Sequence, residues 1–191
     1  CIIFPLKDQN NKIVSLYGRS ITDNDKAKHY YLKNRKGLYP GYPNPATTKL
    51  ILTEAIIDAA TLLQYQGKDK ASPCLEEDTS ILALYGTNGL TEEHKQAIKG
   101  LQHLKEIIFF FDGDKSGREA IKKYQEELSK ILPSVKLSAV NTPEGEDVNS
   151  LLIGHEKEIF TYLLENRKFF LLTEKSNEKN NVKTQNFASQ R

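Results

Sequence analysis

The sequence predicts an α/β fold: a mostly parallel four-stranded sheet flanked by helices, preceded by a small β-rich N-terminal part. Three observations carry this. Between Lys49 and Val140, short apolar runs alternate with helical stretches, the order in which a parallel sheet is wound. The runs are apolar throughout rather than alternating, as strands covered on both faces are. Three of the four runs lead into acidic residues and the other into Gly-Thr, at the carboxyl ends where open parallel sheets bind ligands.

Taken in order, Ile2-Ile3-Phe4 and Ile13-Val14-Ser15-Leu16-Tyr17 flank the turn-rich Asp8-Gln9-Asn10-Asn11, a hairpin signal. Residues 22–48 are irregular, with HYYLKNRKGLYPGYPNP at their centre. Interleaved aromatic and basic residues suit either a nucleic-acid contact or a loop wrapped over a core. KLILTE (49–54) reads as the first strand of the sheet and AIIDAATLLQYQ (55–66) as a helix apolar almost all round. After the connecting loop 67–80, ILALYG (81–86) is the second strand, and TEEHKQAIKGLQ (91–102) a helix with Thr91 as N-cap. IIFFFD (107–112) is the third strand. Gly117 and Arg118 open a helix to residue 132 that places Ile121, Tyr124, Leu128 and Ile131 on one face. VKLSAV (135–140) is the fourth strand, and a last helix is expected over residues 149–166. Beyond Phe169-Phe170-Leu171-Leu172 lies a tail rich in Asn, Lys, Ser and Gln, too polar to order itself and read as a linker or frayed end.

Hydrophobic residues at 38% and charged residues at 27% of 191 fit a globular protein with one good core. No apolar run approaches the roughly 18 residues of a membrane span, so no membrane partner is expected. Cys1 and Cys74 form no pattern and His29, His94, His103 and His155 are scattered, which argues against a zinc site. The lack of Met, including at position 1, suggests a piece of a longer protein. The net charge of +2 hides an asymmetry: up to Lys49 there are nine Lys/Arg against three Asp, leaving 18 basic and 22 acidic residues for the remainder. A basic front and an acidic back suggest a polyanion contact beside a carboxylate cluster.

The chemistry concentrates at the strand ends. Asp112 and Asp114 flank Gly113 at the end of a buried strand, an arrangement that is unfavourable unless a cation lies between them. Asp-Gly-Asp alone also suits a turn and an N-cap. Asp58, one helical turn after Glu54 in an apolar helix, needs a partner. Arg118 is placed to orient Asp114, to bind a phosphate or to form a surface ion pair.

Glu54 with Asp58, Gly86-Thr87, and the run Asp112-Gly113-Asp114-Lys115-Ser116-Gly117-Arg118 together resemble a TOPRIM domain. Within that superfamily the chain is most similar to the catalytic core of bacterial DnaG-type primases. Upstream, residues 3–8 including Lys7, Tyr17-Gly18-Arg19, Lys28, residues 31–34 and Gly37-Leu38-Tyr39 resemble the N-terminal part of that core. The resemblance implies three regions: 1–46, the basic part of the core; 47–168, the TOPRIM domain; and 169–191, the tail. It further implies template-directed synthesis of short RNA primers on single-stranded DNA from ribonucleoside triphosphates, in the cytoplasm. Mg²⁺ or Mn²⁺ would be held by Glu54, Asp112, Asp114 and Asp147, with Glu54, Asp112 and Asp114 catalytic. Asp58, Gly86, Thr87, Gly117 and Arg118 would support the site, and Arg19, Lys28 and Lys7 would bind nucleic acid. Family members carry zinc-binding and helicase-binding domains; neither is visible here, so a replicative helicase would act through regions outside these residues. Ala55 stands where the family has Gly, Glu144 where it has Asp, and Asn149 where it has an acid. These departures, and the short core, suggest a divergent protein of the kind mobile elements carry. A TOPRIM nuclease, topoisomerase-type strand chemistry, a catalytically idle DNA-binding module and a flavodoxin-like or receiver-like domain stay open as alternatives.

Overall fold

The computed structural model describes residues 1–22, 27–66, 75–156 and 158–170. Residues 67–74 of the expected connecting loop, and the expected polar tail from residue 171 onward, lie outside them. The N-terminal hairpin forms as expected, with β1 (Ile2–Lys7) antiparallel to β2 (Ile13–Arg19) and Phe4 opposite Tyr17. A third strand, β3 (His29–Tyr31), pairs with β2, so the segment read as irregular contributes a strand. Three residues are too short to show a periodic pattern; β3 is fixed by cross-strand pairing of Tyr31 with Tyr17 and His29 with Arg19.

The second sheet runs through β4 (Lys49–Thr53), β5 (Thr79–Ala83), β6 (Glu106–Phe110), β7 (Lys136–Ala139) and β8 (Lys168–Phe169), in the spatial order β5-β4-β6-β7-β8. The four strands expected are parallel, and β5 begins two residues earlier than the sequence suggested. The fifth, β8, is antiparallel to β7 and makes the sheet one strand wider than expected. Its position depends on Arg167, whose guanidinium meets buried Glu106 at 2.7 and 2.9 Å, while Ser138 donates to the same carboxylate at 2.6 Å.

Side-chain alternation assigns the two faces. Leu50, Leu52, Ile107 and Phe109 pack with Ala97 and Ile98 of α2 (Glu92–Lys99) and with Tyr124 and Leu128 of α3 (Lys115–Ile131). Ile51, Ile108 and Phe110 face α1 (Ile56–Gln66), α4 (Val148–Gly154) and α5 (Glu158–Glu165), and share their core with Phe4, Leu6 and Tyr17 of the first sheet. The small sheet is therefore packed onto the face that carries α1. The single helix expected over 149–166 is two helices: α4 ends at Gly154 and His155 is extended, with φ −137° and ψ 165°. Glycine near a helix end is a stop signal, and the apolar periodicity on either side masked it. Helix α3 starts three residues before Arg118, because Asp114 caps it.

Candidate active site

The carboxyl ends of β4, β5 and β6, with the loop after β7, form one wall of a cleft of about 460 Å³. Glu54, Asp58, Gly86, Thr87, Asp112 and Asp147 line it; Tyr17, Arg19, His29 and Tyr31 of the small sheet and Tyr85 close it. Of the residues singled out in the sequence, Asp114, Gly117, Arg118, Lys7 and Lys28 do not line this cleft.

Local geometry explains each placement. Glu54 follows β4 directly, and its carbonyl accepts from the Gly86 N–H at 2.9 Å, tying the ends of β4 and β5 together. Asp58 turns back to accept from the Ala55 N–H at 3.2 Å, which closes the first turn of α1. Asp114 accepts from the Gly117 N–H at 2.7 Å and Asp147 from the Ser150 N–H at 2.6 Å; both are helix N-caps. The cap reading of Asp114 is the one observed, and it occupies one of the two carboxylate oxygens. Asn149 accepts from the Thr61 hydroxyl at 3.2 Å, a role in which an amide suffices.

Gly113 is required by close approach. Its N–H donates to the Glu146 carbonyl at 2.8 Å, and its carbonyl accepts from Gly145 at 3.3 Å. A Cβ there would lie 1.8 Å from the Pro143 carbonyl oxygen. Gly117 is similarly confined, with a Cβ 2.3 Å from the Asp112 carbonyl oxygen. Gly113→Ala is expected to destabilise the protein by about 2 kcal/mol, lowering Tm by roughly 5 °C. An unchanged thermal melt would contradict the close contact between the two acidic loops. Arg118 braces the same loops, donating to the Gly113 carbonyl at 3.0 Å and to Glu144 at 2.7 Å. The ion-pair reading of Arg118 is the one observed, and both side chains are exposed.

The electrostatics of the acidic wall are unusual. Burial, reinforced by Asp112 and Asp114, raises the Glu54 carboxyl to about 7. Burial, then Asp112 and Asp147, raises Asp58 to about 8, and burial, then Asp147 and Asp114, raises Asp112 to about 6. One oxygen on each of these three side chains (Glu54 Oε2, Asp58 Oδ1 and Asp112 Oδ1) is buried without a hydrogen-bond partner. Buried unpaired carboxylates call for a proton or a cation, and hard oxygen donors suit Mg²⁺ or Mn²⁺. Among the described residues, no three acidic, His or Cys side chains converge on one point as they stand.

The opposite wall holds residues the sequence did not single out for the site. His29 contacts Tyr17 and Arg19 at 2.9 and 2.7 Å. The Arg35 guanidinium lies 4.5 Å from the Tyr31 ring centroid and 4.0 Å from that of Tyr85. Glu93 anchors the segment that follows, accepting from Gly37 N–H at 2.9 Å and from the Tyr42 hydroxyl at 2.9 Å. The interleaved aromatic and basic composition of residues 29–45 was the one available signal.

Residues 51–152 match the Toprim-like family. The DNA primase of Haemophilus influenzae is 27% identical over 175 residues, which are 86% of this chain and 27% of that protein. A DNA primase domain from Pseudomonas aeruginosa superposes with a TM-score of 0.68 at 26% identity, covering 87% of this chain and 51% of that one. A DnaG primase catalytic domain bound to single-stranded DNA gives 0.65 at 23% identity, over 87% of this chain and 51% of that one. The chain spans about a quarter of the length of the curated relatives it matches. The match covers the acidic wall from β4 through Asp147, and the likeness to primases extends over 86% and 87% of the chain in the two comparisons. The chain belongs to the Toprim-like family, as a relative of the DnaG-type DNA primases.

Proposed function

We propose that these residues form the nucleotidyl-transfer centre of a DNA primase, joining ribonucleoside triphosphates into short primers on single-stranded DNA in the cytoplasm. The observation that carries this reading is the set of three buried, unpartnered carboxylate oxygens facing a wall that contains Arg19. Glu54 and Asp112, with the uncapped oxygens of Asp114 and Asp147, would hold Mg²⁺ or Mn²⁺, which when bound neutralises triphosphate charge and acidifies a bound hydroxyl. Beside the ion, Glu54 would take the proton of an attacking 3′-hydroxyl as general base. The new bond joins the 3′-oxygen to the α-phosphorus, and the bond to pyrophosphate breaks. Asp58 sets the first turn of α1 and so the direction of Glu54. Arg19 faces the phosphates from the other wall, and exposed Lys28 and half-buried Lys7 extend its positive surface toward the template backbone. The DnaG domain bound to single-stranded DNA supports the assignment of the template.

The test is to incubate the full-length protein with single-stranded DNA, ribonucleotides and Mg²⁺ or Mn²⁺. Short RNA products are expected, and Glu54→Gln should reduce them at least about tenfold by removing the proton acceptor. Metal-dependent cutting of the DNA would replace this reading with a nuclease. DNA binding without turnover would leave a catalytically idle module.

A further inference from the structure

We propose that His29 is a positioning residue that holds the Arg19 guanidinium toward substrate phosphates and away from the acidic wall across the cleft. The inference deepens the primase reading and rests on it for the identity of the phosphates.

Arg19 and the carboxylates of Glu54, Asp58, Asp112 and Asp147 line one cleft. A guanidinium beside such a wall has a strong electrostatic reason to swing across and pair with it. Among the described residues Arg19 makes no such ion pair; its Nη1 donates to His29 Nε2 at 2.7 Å. The same Nη1 is 3.4 Å from Nδ1, so the guanidinium sits against the imidazole beside both ring nitrogens and nearer Nε2. Nδ1 also lies 2.9 Å from the hydroxyl of Tyr17, a residue 1% exposed and packed against Phe4 and Tyr31. Tyr17 thereby holds the imidazole in place, and the imidazole holds Arg19. The cross-strand register places His29 directly opposite Arg19, so the contact follows from the pairing of β2 with β3.

The device works only with a neutral ring. The groups acting on His29 are Arg19 and Tyr17 on β2, Lys28 beside it, and Tyr31 on β3, with Glu54 and Asp58 on the facing wall. Burial, Arg19 and Lys28 lower its affinity for a proton, so the ring stays neutral at pH 7. Acidification adds the second ring proton, sets two cations against each other and releases Arg19.

The phosphate recognised belongs either to the incoming triphosphate or to the template backbone, and two titrations separate them. With the full-length protein, KM for the ribonucleotide and Kd for single-stranded DNA are measured for wild type, His29→Ala, His29→Gln, Arg19→Ala and the double Ala variant. His29→Ala should raise one of the two constants about tenfold, the effect of losing a hydrogen bond to a charged group, with kcat changed less than about twofold. His29→Gln restores an acceptor that cannot titrate, so it should recover most of the loss and flatten the rise in that constant below about pH 6. The double variant should be no worse than Arg19→Ala, since both act through one contact. Equal defects in His29→Ala and His29→Gln, additive effects, or a fall in kcat alone would overturn the assignment. If wild type makes no primers but binds triphosphate or DNA in this pattern, the primase reading fails and the role of His29 stands. Synthesis unaffected by His29→Ala reverses that outcome, and a protein that binds neither ligand overturns both.

Discussion

Asp112→Asn is expected to remove primer synthesis, by about a hundredfold or more, while making the metal-free protein more stable. The two effects share one cause. Asp112 sits where burial and the charges of Asp147 and Asp114 oppose its ionisation, and its Oδ1 has no partner. In the metal-free protein it is a source of repulsion. Asparagine keeps the shape, removes the charge and supplies an amide that can donate to the neighbouring carboxylates. The relief is on the order of 1 kcal/mol, or roughly 2–4 °C in Tm for a chain of this size. The same change deletes a hard anionic donor, and losing several kcal/mol of transition-state charge stabilisation corresponds to a rate loss of at least about a hundredfold. Titration with Mg²⁺ separates the cases: wild type should gain Tm as the ion binds the folded state, and Asp112→Asn should gain far less. A variant that melts lower than wild type without metal, yet still makes primers, would remove Asp112 from the centre of the site.

The parts of this site that were legible in the sequence are those encoded locally. The run from Ile107 to Phe111 can be buried only as a central strand, and all five residues of β6 are indeed buried. A strand end followed by Asp-Gly-Asp places carboxylates at the mouth of the sheet whatever the rest of the chain does. Glu54 and Asp58 were legible for the same reason, being one turn apart at a strand-to-helix junction. His29 and Tyr85 were not, because their place in the cleft depends on the packing of one sheet over the other. The register of β2 on β3, with Arg19 opposite His29, has no local signature. Strand β8 was hidden for a related reason: it is held by the Arg167–Glu106 pair, 61 residues apart. The double use of Asp114 and Asp147 as caps was half visible, since a short acidic residue before a helix always invites that reading.

Without metal, the protein should lose stability as pH rises above about 4, including roughly 10 °C in Tm between about pH 6 and pH 8.5; Mg²⁺ should largely abolish that loss. The direction follows from three carboxyls whose folded values, about 6 for Asp112, 7 for Glu54 and 8 for Asp58, lie above the usual carboxylate value near ~4. Each holds its proton more tightly folded than unfolded. Its contribution to stability is complete below the unfolded value and disappears as pH rises through the folded one. The decline therefore begins above the unfolded value near ~4 and is complete by about pH 8, with Asp58, 2% exposed, the largest contributor. Two groups act in the opposite sense and set the acid limit. Burial lowers His94 to about 4, so its stabilising neutral form is lost as pH falls from its ordinary value toward that one. Arg167 and Ser138 hold Glu106 below its usual value against the opposing effect of burial, and that pairing is lost in acid as well. A divalent ion supplies the positive charge that protons supply at pH 6, so it should restore stability mainly on the alkaline side. Thermal melts across this range with EDTA and with excess Mg²⁺ provide the measurement. A metal-free Tm that climbs steadily from pH 6 to 8 would mean that the three carboxyls are not the strained cluster they form here, and the case for a cation between them would fall with it.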